Sequence, residues 1–438
     1  MTQEARTLVD KYFGNADGQL SIGGIPISRI VEEFGTPLFV YDAEILRKKW
    51  RALRETFPGT FAISYSVKAN PNPFLLKWFL DRGCGLEIAS GGEFHLALTA
   101  GCAPAQLIFA GPGKSQSELE TVLSRGIGEI HIESALEATR VNAISRRLGI
   151  KARVALRVNP DASAQGGAMQ MGGKPAPFGV DEEQLDEMID RLMKLEFLEF
   201  RGLHFYLGTQ ILDHATLGRQ YRHGVQIAKR VVEKIGRALA TIDFGGGLGI
   251  PYFAGEEELE TDKLRNELCE SMHEIANEPA FLGTQFIIEP GRYLVGEAGI
   301  YVTQVSDIKV SRERKYVIVD GGMNHHLAAS GNLGQVIKRN FPVAVLNKLN
   351  EARLERMEIV GPLCTPLDAL ARDVELPEVQ VGDWIGIFQS GAYARAASPL
   401  GFLSYPSPAE VLVEEGRPLL IRRRGTVEDL LSDIPVAS

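Results

Sequence analysis

Short apolar runs recur along much of the chain, at residues 61–67, 85–89, 107–110, 130–132, 153–158, 202–207, 241–244 and 285–288. Most are separated by stretches with the three-and-four spacing of an amphipathic helix, as at 73–80, 93–98 and 184–192. The pattern predicts eight strands alternating with helices. Eight such units are the signature of an α/β chain folded as a (β/α)8 TIM barrel, although a doubly wound open sheet produces a similar string. A barrel places its chemistry in the loops that follow the strands.

Beyond residue 300 the texture changes. Strand-like segments at 301–305, 315–320, 357–360, 384–388 and 410–413 follow one another with few helical stretches between them. They predict a C-terminal, mostly antiparallel β domain. Residues 20–40 are expected to supply it with an additional strand. The expected division is a barrel over 36–290 and a β domain built from 1–35 and 291–438. Residues 159–180, rich in Gly, Pro, Met and Ala, are expected to form a long mobile loop above the barrel.

With 438 residues, 45% hydrophobic and 24% charged, the chain has ample material for a packed core. A formal charge of −9 argues against nucleic acid or an anionic membrane as partner. The run Arg422-Arg-Arg424 is a local exception, read as a solvated strand end or a subunit contact. Cys84, Cys102, Cys269 and Cys364 are scattered without metal-ligand spacing, so no metal site is expected. No run of 18 apolar residues occurs, and the first residues lack a basic segment followed by an apolar one. The expected location is the cytoplasm.

The unusual residues stand at the strand exits. The first strand ends in Tyr65-Ser-Val-Lys68 and turns at once through Ala69-Asn-Pro-Asn-Pro73. Lys68 is either a solvated surface lysine or one poised to form a Schiff base with a carbonyl cofactor. The seventh run leads into Asp243-Phe-Gly-Gly-Gly-Leu-Gly249, a tight turn or a cradle of backbone N–H groups for a phosphate. Its spacing misses the dinucleotide pattern, because Ile250 stands where a third glycine belongs. The eighth leads into Glu289-Pro-Gly-Arg292, a salt-bridged turn or a site for a heteroaromatic nitrogen beside an anion. The sixth carries His204 and ends near Thr209. A lysine for an aldehyde, an acid for a ring nitrogen, and glycine and hydroxyl donors for a phosphate are together the parts that hold pyridoxal phosphate.

Several ordered motifs make the chain resemble the fold-type III pyridoxal-phosphate decarboxylases, the family of diaminopimelate, ornithine and arginine decarboxylases. They are Tyr65-Ser-Val-Lys-Ala-Asn70, Glu87-Ile-Ala-Ser-Gly-Gly-Glu93, His204 to Gln210, Gly245-Gly-Gly247, Glu289-Pro-Gly-Arg292, Gly361-Pro-Leu-Cys364 and Ser390-Gly-Ala-Tyr393. The resemblance implies an alanine-racemase-like barrel and pyridoxal 5'-phosphate as cofactor. It implies that Lys68 binds the cofactor's aldehyde, that His204 stacks on the pyridine ring, and that Glu289 meets the ring nitrogen. Thr209, Gly245, Gly246, Gly247, Gly291, Arg292 and Tyr393 would contact the phosphate, Arg292 and Tyr393 also lying by the substrate. It further implies a head-to-tail homodimer in which Cys364 and Asp368 reach the site from the partner chain, Cys364 as proton donor. An acid at position 289 favours the protonated ring and so decarboxylation over racemisation.

Diaminopimelate decarboxylases follow this cysteine with Glu-Ser, whereas this chain reads Cys364-Thr-Pro-Leu-Asp368. Thr365 cannot supply the charge that reads the far end of a free diamino acid. Residues 322–332, 364–368 and 397–404 look more like a biosynthetic subgroup that includes the butirosin-pathway decarboxylase of a glutamyl group on an acyl carrier protein. The expected substrate is therefore an aminoacyl group thioesterified to a carrier protein. The alternatives are a free amino acid such as diaminopimelate, a racemase, or a non-catalytic regulator on the same fold.

Overall fold

A computed structural model describes residues 1–160, 175–206, 208–276 and 278–435. The chain divides into two compact units, Arg51–Ile250 with Glu257–Tyr293, and Met1–Trp50 with Pro251–Glu256 and Leu294–Ser438.

The first unit is a closed barrel of eight parallel strands: β1 (Phe61–Ser66), β2 (Gly85–Ile88), β3 (Leu107–Phe109), β4 (Glu129–Ile132), β5 (Ala152–Asn159), β6 (Leu198–Phe205), β7 (Thr241–Asp243) and β8 (Gln285–Ile288). Closure comes from β8 pairing with β1, Phe286 opposite Phe61. All eight predicted runs are strands, and the open-sheet alternative is removed by that pairing. β6 begins four residues before its apolar run, because Glu199 and Arg201 break the pattern at its start and the register slips between Phe200 and Gly202. The long loop expected at 159–180 falls largely outside the described residues; at its end Val180–Asp181 pairs with β5.

The turn chemistry after β1 resolves into a helix start. Val67–Ala69 forms one 3-10 turn, and Asn72 then accepts from the Phe74 N–H while Pro73 takes the first position of helix Pro73–Leu80. Serines do the same work elsewhere, Ser90 ahead of Gly91–Thr99 and Ser134 ahead of Ala135–Leu148. Each cap fixes where a strand exit gives way to helix, and hence where a side chain such as Lys68 stands.

The second unit is a mixed sheet. Its order is Ala369–Pro377, Leu354–Val360, Arg314–Val319, Gly299–Ser311, Leu38–Asp42, Ala409–Glu414 and Arg417–Arg422, with Trp384–Ile387 also on Gly299–Ser311. Most neighbours are antiparallel, but Leu38–Asp42 runs parallel to Ala409–Glu414 and Arg314–Val319 parallel to Leu354–Val360. Leu38–Asp42 is the strand expected from residues 20–40. It is buried along its whole length, so residues 36–50 group with this unit and not with the barrel as expected. Leu20, Ile27, Val40, Ile300, Leu346 and Val411 form part of its core. The basic run is consumed locally: Arg422 pairs with Glu410, Arg423 with Asp429, and Arg424 donates to the carbonyls of Phe34 and Pro37. No helix among the described residues is long and apolar enough to cross a membrane.

One buried cation ties the barrel's upper loops together. Lys114 Nζ, wholly buried, donates to Gly111 O, His131 O and Glu137 Oε1, each at 2.7 Å. Lys114→Met leaves that carboxyl and two carbonyls without their donor. The expected cost is about 3–5 kcal/mol, partly recovered when Glu137→Leu is added, measured by urea denaturation.

Candidate active site at the mouth of the barrel

The exits of β1, β2, β6, β7 and β8 converge. A cavity of about 210 Å³ opens there, lined among others by Lys68, Glu87, Arg157, His204, Tyr206 and Glu289. Lys68 projects from the 3-10 turn with its Nζ 2.7 Å from Glu87 Oε2. Glu87 ends β2 and is buried, and the same oxygen accepts from Ser66 Oγ at 2.5 Å. The lysine side chain stays 39% exposed, while nearly everything that fixes it is buried.

His204, near the end of β6, is buried with Nε2 3.4 Å from Glu289 Oε2. Burial holds its imidazole well below the usual pKa, and the nearby His131 and Arg157 push the same way, so the ring is neutral. Glu289 immediately follows β8, and Asp243 ends β7 with Oδ1 accepting from the Gly245 N–H at 2.8 Å. Burial, and then the charge of Glu289, raise the Asp243 carboxyl well above the usual range.

The glycine run is a sterically required cradle. Gly245 and Gly247 have φ of +66° and +105°, and an added Cβ would stand 2.5 Å from Phe205 O and 2.9 Å from Gly208 O; at Gly246 it would stand 2.6 Å from Glu289 O. Thr209 is half-buried in the loop after β6, and that loop is tied to the run through Ile211 N–H to Gly247 O and Gly249 N–H to Ile211 O, both 2.9 Å. Gly291 is needed where a Cβ would meet Ala69 Cβ at 2.9 Å, and Arg292 follows it. Lys68, His204, Thr209, Gly245, Gly246, Gly247, Glu289, Gly291 and Arg292 thus all stand at strand ends or just after them, at one end of the barrel.

The remaining predicted residues lie in the other unit. Cys364 is exposed in the turn after Leu354–Val360, and Tyr393 is half-buried at φ +54°. Asp368 is buried, with Oδ1 accepting from Met323 N–H at 2.6 Å and Oδ2 from Leu363 N–H at 2.9 Å. A carboxylate held in this way clamps the turn that carries Cys364.

Sequence reasoning gave no role to Arg157, Glu93 or His131. Arg157 binds Glu133 at 2.9 Å and lies over the Tyr206 ring, 5.7 Å from its centroid. His131 stacks on His204 with centroids 4.3 Å apart; its one signal was a polar residue inside an apolar run. Glu93 accepts from the Ala89 N–H at 2.7 Å, and burial pushes its carboxyl up to about 7, with Glu87 adding to the rise and Lys68 opposing it. A carboxyl raised in the folded state contributes stability that is full at low pH and is lost as pH rises through the window between its unfolded value and about 7. Glu93→Gln is expected to flatten the decline in melting temperature across that window, measured on cofactor-free protein.

Pyridoxal phosphate asks for an amine at its aldehyde, a flat face against its ring, an acid at its nitrogen and donors for its phosphate. The strand exits at this mouth of the barrel offer each. Among the described residues, both His204 nitrogens and Glu289 Oε1 are buried without a hydrogen-bond partner, as expected of groups arranged for a guest. The residues fit the cofactor.

The family described as pyridoxal-dependent decarboxylase, pyridoxal binding domain, matches residues 43–296. The L-glutamyl-[BtrI acyl-carrier protein] decarboxylase of Niallia circulans is 39% identical over 409 residues, covering 93% of this chain and 95% of that one. The diaminopimelate decarboxylase of Aquifex aeolicus is 36% identical over 414 residues, covering 94% and 95%. Diaminopimelate decarboxylase from M. jannaschii, solved with L-lysine, superposes with a TM-score of 0.89 at 27% identity, covering 97% and 98%. With its lysine, paired acids and glycine cradle at one barrel mouth, the chain belongs to the pyridoxal-dependent decarboxylases and is a carboxy-lyase that uses pyridoxal phosphate.

Proposed function

We propose that the enzyme decarboxylates an aminoacyl group held as a thioester on an acyl carrier protein. The observation that carries this reading is the Cys364 turn: Thr365 is neutral, and both oxygens of Asp368 accept from backbone N–H groups. A free diamino acid needs an anion there for its second ammonium group. The similarity to a carrier-dependent glutamyl decarboxylase supports the same reading.

When bound, pyridoxal phosphate withdraws electrons from the substrate's α-carbon, which lets the carboxylate leave as carbon dioxide. The chain's residues do the rest. Lys68 supplies the amine for the aldehyde, and Glu87 keeps that amine placed. Glu289 would hold a proton at the ring nitrogen, and neutral His204 would cover the ring face. Gly245, Gly246, Gly247, Gly291, Thr209 and Arg292, with Tyr393, bind the phosphate. Cys364 Sγ–H gives a proton to the α-carbon after the carboxylate leaves. We infer a head-to-tail homodimer in which Cys364 of one copy serves the barrel of the other.

The test is incubation with free amino acids and with aminoacyl-carrier thioesters, following carbon dioxide and the intact mass of the carrier. Gas release with a matching mass loss on the carrier is expected. Turnover of free diaminopimelate alone overturns the carrier reading, and racemised substrate without gas overturns decarboxylation here.

A further inference from the structure

A functional imidazole is commonly held in orientation by a hydrogen bond to one of its nitrogens. His204 has none. Among the described residues both of its ring nitrogens are buried without a hydrogen-bond partner, and Nε2 stands 3.4 Å from Glu289 Oε2 without the alignment of a hydrogen bond. The rotation of the ring is therefore set by packing. Among the described residues one ring lies against it, that of His131, stacked with centroids 4.3 Å apart and planes inclined by 29°. Stacking at this separation is a favourable arrangement of aromatic rings.

His131 supplies a fixed surface for that stack. It is wholly buried, in a strand paired on both sides, with Phe109 of β3 opposite Ile130 and Ala155 of β5 opposite His131 itself. Its carbonyl accepts from the buried Lys114 Nζ at 2.7 Å. Beside its ring stands Glu129, two residues earlier on the same face of β4, whose oxygens accept from Thr241 Oγ1 at 3.2 and 3.0 Å. His204 lines the cavity of about 210 Å³ at the upper mouth, and His131 does not. One ring meets the guest and the other backs it.

We propose that His131 is a positioning residue that sets the plane of the His204 ring and, through it, the seat of the cofactor ring. The inference rests on the reading of His204 as the residue that covers that ring. His131 itself touches neither substrate nor cofactor. Its contribution is preorganisation: a ring already flat against a buried platform loses little freedom when the cofactor settles on it. Without the platform the His204 ring turns about its Cβ–Cγ bond, a broad torsion with no hydrogen bond to hold it, and part of the binding energy goes into ordering it. What the site needs of residue 131 is a flat face.

His131→Leu removes the flat face at similar volume, and His131→Phe keeps it. In cofactor-free protein the ring C–H proton signals of His204, identified by their loss in His204→Gln, are expected upfield, shielded by the neighbouring ring. They move downfield in His131→Leu and stay upfield in His131→Phe. Titration with pyridoxal phosphate is expected to show about five-fold weaker binding to His131→Leu, the scale of one aromatic stacking contact, with a weaker circular dichroism band of the bound cofactor. Both recover in His131→Phe. Phe adds volume to a closed interior and does not stabilise it, so urea denaturation separates this rescue from a gain in stability. An unmoved His204 signal in His131→Leu overturns the platform, and that outcome stands even where the Phe variant does not fold. Cofactor binding and a dichroism band equal to the parent's in His131→Leu overturn its role toward the cofactor. The first measurement uses no cofactor, so its failure is distinct from a failure of His204 to cover the ring, and neither measurement depends on release of carbon dioxide.

Discussion

Lys68→Ala protein is expected to fold, to bind pyridoxal phosphate without a link that borohydride can trap, and to release carbon dioxide about 10²–10⁴-fold more slowly, the range that proton handling by a positioned side chain alone contributes. The lysine sits on a 3-10 turn with more than a third of its side chain exposed, so truncation removes little packing. Its loss is felt by Glu87, a buried carboxylate that keeps only Ser66 Oγ as donor to the shared oxygen. Removing one partner of such a group costs about 1–3 kcal/mol. Stability and activity therefore separate. Urea denaturation shows a modest loss, carbon dioxide release a large one, and reduction followed by peptide mapping loses the label at position 68. Label recovered on another lysine, or activity within a few-fold of the parent, removes Lys68 from the centre of the reaction.

The barrel was readable because a strand buried on both faces is a short unbroken apolar run, and eight such runs are hard to produce otherwise. The sheet of the second unit was read less fully for the same physical reason. Val343–Val345 is too short to stand out, and Arg417–Arg422 is an edge strand with half of its residues exposed. Ala369–Pro377 is broken by Arg372 and by Asp373 at φ +47°, which destroys its alternation. At the site, residues that end strands announced themselves: Lys68, Glu289 and the glycine run interrupt apolar sequence where a barrel keeps its chemistry. His131 did not, because a polar residue inside a strand is indistinguishable in sequence from one satisfied by packing, and its stacking on His204 depends on the barrel closing. Asp368 has a packing role that no sequence pattern discloses, because the backbone N–H groups of Met323 and Leu363 reach it only once the chain has folded.

Glu289→Gln is expected to lower kcat by about 10²–10³-fold, or roughly 2.7–4 kcal/mol, the scale of removing one preorganised electrostatic group from an active site, with little change in KM. The amide matches the carboxylate in shape and keeps its place beside His204, so the loss isolates charge from geometry. Without the anion, a proton at the ring nitrogen has no counter-ion, and the electron withdrawal that drives loss of the carboxylate weakens. Asp243 does not replace it, because Oδ1 is held by the Gly245 N–H and burial keeps the group protonated. The same substitution moves stability the other way. In the parent, Asp243 has a folded pKa well above its unfolded one, so stability is full at low pH and is lost as pH rises from the ordinary carboxylate range through the raised value. Part of that rise comes from the charge of Glu289, so Glu289→Gln lowers it and shrinks the loss. Cofactor-free Glu289→Gln protein should accordingly melt higher than the parent at pH 8 and nearly level with it at low pH, while turning over far more slowly. A variant that is slow and also less stable at pH 8 marks Glu289 as a structural group, and one that is stable and fully active shows that the ring nitrogen needs no acid there.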